Sequence, residues 1–83
     1  SLMRELYVTL PDVQRVQKFL STLTKLNGDF ELVSGGHVLD ARSLMGIFTL
    51  DLAHPILLRV YDESQPNINA LRPFLADGEE ETR

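Results

Sequence analysis

Cysteine is missing from the 83-residue chain, so no disulfide staples the fold and no thiolate is available for zinc, iron–sulfur or nucleophilic chemistry. Long apolar runs are missing as well. No stretch approaches the roughly 18 apolar residues of a membrane span, and no signal-peptide pattern stands at the N-terminus. A basic excess is also lacking: eight Lys and Arg face twelve Asp and Glu, for a formal charge of −4 and a pI near 4.9. The basic residues are scattered, so the chain is expected to be repelled by nucleic acid and by anionic membrane surfaces. Two isolated histidines, His37 and His54, have no paired spacing and make a poor metal ligand set. No cofactor motif is present. These absences lead to the expectation of a cytoplasmic protein held together by packing alone.

What is present suits one small domain. The apolar fraction of 43% and the charged fraction of 24% are ordinary for a folded chain, and a chain of this length buries about 60–65% of its unfolded surface. Ser1 and Leu2, ahead of Met3, are expected to be a vector-derived remnant. The domain is expected to span residues 3–76, and 77–83 to form a frayed acidic tail.

Alternation of apolar and polar residues predicts a first strand over Glu5 to Leu10, with Leu6, Val8 and Leu10 on one face. Pro11 suits the first turn of a helix, and Asp12 places a negative charge where the helix dipole favours one. Val13, Val16, Phe19, Leu20, Leu23 and Leu26 recur at helical spacing, and Asn27-Gly28 supplies the stop. Asp29 to Val33 and His37 to Ala41 read as strands joined by Ser34-Gly35-Gly36, a hairpin turn. Ser43 is expected to cap a short helix from Leu44 to about Leu50. A fourth strand is predicted over Ile56 to Tyr61. Asn67 is expected to cap a last helix that Pro73 keeps short or broken.

The resulting order, β-α-β-β-α-β-α, describes an α/β (α+β) open-faced sandwich: a four-stranded antiparallel sheet with three helices on one face. Leu6, Val8, Phe30, Leu32, Leu39, Ala41, Ile56, Leu58 and Val60 are expected to point inward. Tyr7, Val33, Val38, Leu57 and Tyr61 then fall on the opposite face, among Glu5, Glu31, Asp40 and Arg59. That face is a candidate homodimer surface.

Two stretches carry a family resemblance. Thr24-Lys25-Leu26-Asn27-Gly28-Asp29-Phe30-Glu31-Leu32, and then Leu39-Asp40-Ala41-Arg42-Ser43-Leu44-Met45-Gly46-Ile47-Phe48-Thr49-Leu50, resemble HPr, the small phosphocarrier family of the bacterial sugar phosphotransferase system. In that family a basic residue, a serine, two apolar residues and a glycine open the short second helix, and those types stand here at Arg42 to Gly46. The resemblance runs from Glu5 to Leu75.

The resemblance implies a phosphate-accepting histidine at the start of the first helix, but counting back from Ser43 lands on Asp12, with Gln14 at the family's arginine position. His37 lies at the hairpin and His54 in the loop before the fourth strand, so neither can replace it. The chain is therefore expected to be no enzyme but an HPr-like regulatory or adaptor domain binding a protein partner, including one from the phosphotransferase system. Asp12, Arg15, Leu44, Met45 and Phe48 are the candidate contacts. Ile47 is expected to turn inward, Met45 fits either the core or the patch, and Arg15 is otherwise a solvated helix residue. Ser43 is a helix cap, and the resemblance implies it also as a regulatory phosphorylation site. The catalytic alternative is a phosphocarrier with a non-histidine acceptor, Asp12.

Overall fold

A computed structural model describes residues 3–78. The expected remnant at 1–2 and residues 79–83 of the acidic tail lie outside the described residues. Four strands alternate with three helices: β1 (Arg4–Val8), α1 (Val13–Leu23), β2 (Phe30–Ser34), β3 (His37–Asp40), α2 (Leu44–Ile47), β4 (Ile56–Val60) and α3 (Gln65–Leu71). A single 3₁₀ turn, Arg72–Phe74, follows α3. All pairings are antiparallel and the sheet order is β1-β4-β2-β3, so β1 and β3 are the edges.

The period-two pattern decides which way each strand faces. Leu6, Val8, Phe30, Leu32, Ala41, Ile56, Leu58 and Val60 are all buried, and Leu39 is half-buried. The helices bring Val16, Phe19 and Leu23 from α1, Ile47 from α2, and Ile68 and Leu71 from α3 into the same core. Phe74 closes it, meeting Phe19 edge to face with centroids 5.4 Å apart. The β2–β3 hairpin turns through Gly35 and Gly36, both at positive φ, with Ser34 opposite His37. That is the two-residue primed turn whose twist matches the strands.

Several local expectations are corrected. Pro11, expected in the first turn of α1, stands ahead of the cap, which is Asp12: its Oδ1 accepts the Arg15 N–H at 2.8 Å. Val13, at the first helical position, is 54% exposed because the helix has not yet turned toward the sheet. α1 ends at Leu23 rather than Leu26; tighter turns, Lys25 N–H to Thr22 O and Leu26 N–H to Leu23 O, finish it. β1 stops at Val8, yet Leu10 is fully buried beyond it. α2 stops at Ile47 instead of Leu50. Ser64, not Asn67, precedes α3, with Pro66 in its first turn.

Asn67 has a different task. It is buried, and its side-chain amide donates to the carbonyls of Asn27 at 2.8 Å and Asp62 at 3.0 Å. It thereby ties the loop after α1 to the loop after β4. These loops are pressed together: a Cβ on Gly28, already at φ +95, would lie 2.5 Å from the Asp62 Cβ. Only glycine fits there.

The other tie is Arg42. Its guanidinium donates to the carbonyls of Leu23 (3.0 and 3.3 Å), Leu26 (3.0 Å) and Gly28 (3.0 Å), and it stacks over the Phe30 ring at 5.0 Å. Replacing Arg42 by Ala strands partly buried carbonyls at the end of α1. A loss of about 2–3 kcal/mol is expected in urea denaturation, with Arg42→Lys restoring less than half of it because an ammonium lacks the planar fork. A loss below about 0.5 kcal/mol would mean that water satisfies these carbonyls equally well.

Candidate functional site

The short helix after Ser43 is built around one inward residue. A four-residue helix cannot persist on its own propensity, and α2 is held at three points. Ser43, in extended conformation, accepts the Gly46 N–H on its Oγ at 3.1 Å, as expected of a cap. Thr49 Oγ1 donates to the Gly46 carbonyl at 2.6 Å. Ile47 is fully buried. Gly46 belongs to the same arrangement: a Cβ there would fall 2.9 Å from Ser43 Oγ and 3.3 Å from Leu39 Cδ1, so a side chain would push the capping hydroxyl away.

With Ile47 turned in, its neighbours turn out. Leu44 is 43% exposed, Met45 78% and Phe48 44%. Met45 therefore belongs to the surface patch and not to the core. Leu44 and Phe48, one turn apart, share a side of the helix.

The start of α1 is organised differently. The Asp12 carboxylate is engaged in capping, and its carbonyl accepts the Val16 N–H at 3.0 Å. Arg15, expected to be solvated, is instead committed to the fold. Its guanidinium donates to the Pro73 carbonyl at 3.0 Å and lies 5.7 Å over the Phe74 ring. Asp12 is bonded to Arg15, Arg15 to the 3₁₀ turn, and Ser43 to its own helix. Arg42, directly ahead of Ser43, touches the C-terminal end of α1, whereas Asp12 and Arg15 stand at its N-terminal end, about 16 Å away along the axis. His37 and His54 are both exposed; His37 stands at the hairpin, whereas His54, in the loop before β4, lies at the same end of the sheet as the start of α1, because Ile56 pairs with Val8. Among the described residues no group of three or more His, Asp or Glu side chains is placed to hold a metal ion.

The open face of the sheet is ordered in rows. Glu5, Arg59, Glu31 and Asp40 face one another across β1, β4, β2 and β3, and Tyr7, Leu57, Val33 and Val38 form the next row. Arg59 reaches Glu5 at 3.3 Å and Glu31 at 3.6 Å. The Tyr61 hydroxyl donates to Glu31 Oε1 at 2.7 Å. That hydrogen bond holds the Tyr61 phenol above its ordinary range, and partial desolvation and the Glu31 charge push the same way. Sequence alternation located this face but not the ionic row, because the register that aligns Glu5, Arg59 and Glu31 is a long-range property.

The chain matches no protein-family model and no curated protein sequence.

Two outcomes follow from this geometry. The protonated phenol is the form that bonds Glu31, so Tyr61 should ionise above the ordinary tyrosine range in an ultraviolet titration of the Tyr7→Phe protein. Its stabilising bond is fully present below the ordinary tyrosine range and is lost as pH rises through the elevated value. Glu31→Gln should bring the Tyr61 midpoint back toward that range; an unchanged midpoint would assign the shift to another cause. In α2, Met45→Glu should alter stability by less than about 0.5 kcal/mol, whereas Ile47→Ala should cost about 2–4 kcal/mol. Comparable losses in thermal denaturation would place Met45 in the core after all.

Proposed function

We propose that this chain is an HPr-like regulatory or adaptor domain of the cytoplasm, without catalytic activity, which binds a protein partner through α2. The observation that carries this reading is the orientation of α2, in which one buried isoleucine presents Leu44, Met45 and Phe48 to solvent. Flexible methionine and aromatic side chains on a fixed helix suit a binding surface, since apolar anchors supply most of the affinity in such contacts. The element order and the Arg42-Ser43-Leu44-Met45-Gly46 run support the HPr likeness. The absence of an imidazole at the start of α1 speaks against the phosphocarrier role of that family, because histidine phosphotransfer needs a nucleophile beside the helix N-terminal amides.

Ser43 gives the patch a means of control. Its hydroxyl is half-buried and adjoins Leu44, so a phosphoryl group there would add about two negative charges beside the apolar patch. The competing reading is a phosphocarrier that uses Asp12. Transferring a phosphoryl group to that carboxylate, to give an acyl phosphate, would disturb the cap it provides for the Arg15 N–H, a cost of about 1 kcal/mol.

Incubation with phosphoenolpyruvate and the first enzyme of the phosphotransferase system separates the two. No added phosphate is expected in intact-mass spectra recorded without acid exposure; a phosphate mapped to Asp12 would overturn the non-catalytic reading. Affinity capture from the native cytoplasm should retain a partner with the wild type and lose it about tenfold or more with Met45→Glu. Ser43→Asp should change that retention. Equal capture by all three proteins would remove α2 as the binding surface.

A further inference from the structure

We infer that the open face of the sheet is a second docking surface, shaped for a basic amphipathic helix of another protein lying across the strands. This inference does not rest on the role proposed for α2, which lies on the other side of the sheet.

The apolar row is continuous. Tyr7, Leu57, Val33 and Val38 are direct cross-strand neighbours; Tyr7 and Val38 at its two ends are 48% and 52% exposed, and the middle pair is half-buried. Isolated exposed hydrophobes are ordinary, but a row crossing every strand of a sheet is a contiguous patch. With strands about 4.8 Å apart the row is about 14 Å long. An α-helix advances about 5.4 Å per turn, so a helix laid along the row sets one apolar side chain over each strand in about three turns.

Charge selects the occupant. The row beside the apolar one holds three carboxylates, Glu5, Glu31 and Asp40, and one cation, Arg59, which is already enclosed by Glu5 and Glu31. The basic side chains of α1, Arg72 of the 3₁₀ turn and Arg42 belong to the helical side. A helix carrying one Lys or Arg per turn on the flank nearest this row would meet carboxylates, and the long aliphatic stems of those residues would lie over the apolar row. A second copy of this chain is a poorer match. Stacking two such sheets about 10 Å apart sets acidic rows together, with each arginine already paired.

The test is an amide-shift titration of the whole ¹⁵N-labelled chain with two capped synthetic helices of about 14 residues. Both carry one Leu per turn; one is flanked by Lys and the other by Glu. The Lys helix should shift the amides of Tyr7, Val33, Val38 and Leu57. It should also bind about tenfold or more tightly than the Glu helix and weaken as salt rises. Tyr7→Ser with Val38→Thr should lower its affinity about fivefold or more; should that variant not fold, the shift map of the wild type decides. Shifts centred on α2, equal affinity for the two peptides, or sedimentation of the chain alone as a dimer that Tyr61→Glu dissolves would each overturn the proposal.

Discussion

The guanidinium of Arg42 is the contact around which the helical side is arranged. A helix end leaves carbonyls without partners, and α1 ends over the sheet rather than in water. One planar side chain, arriving from the junction of β3 and α2, satisfies the carbonyls of Leu23, Leu26 and Gly28 together and lays its face on Phe30. A cation at the negative end of a helix dipole is favourable in its own right. The same contact sets where α2 begins, since Ser43 follows directly and its backbone N–H is bonded to the Asp40 carbonyl at 3.0 Å. The cap of one helix and the finish of another are thus decided by adjacent residues.

The two sides of the sheet differ in chemistry as well as in cover. The helical side gathers the core, the basic residues of α1 and the exposed patch of α2. The bare side carries an ionic row beside an apolar row, with Arg59 neutralised in place by Glu5 and Glu31. A small domain has little interior to spare, and this one uses one face of its sheet for stability while leaving the other available.

Much of the fold was legible because it depends on local periodicity. Alternation in β1, β2 and β4 separated inward from outward residues, and the spacing of Val16, Phe19 and Leu23 identified the buried side of α1. Ser43 was legible as a cap because its partner lies three residues away. What escaped depends on distant partners. Asn67 resembles a cap in sequence, but its amide serves Asn27, forty positions earlier; Arg15 resembles a solvated helix residue, but it binds the Pro73 carbonyl. In α2 the sequence offered Met45 two directions. A helix of barely one turn has too few residues for its periodicity to decide between them, and the burial of Ile47 made the choice.

The residues that follow the 3₁₀ turn run alongside the end of β1: Thr9 N–H donates to the Phe74 carbonyl at 2.8 Å, and Ala76 N–H to the Tyr7 carbonyl at 2.9 Å. Residues 74–76 thus act as a partial fifth strand that shields the far end of β1 from pairing with foreign backbone. Shortening the protein ahead of Leu75 would uncover that end of β1, whereas a fusion joined after Asp77 would leave it covered. The opposite margin, the outer side of β3, is only four residues long, too brief to template the growth of an extended intermolecular sheet.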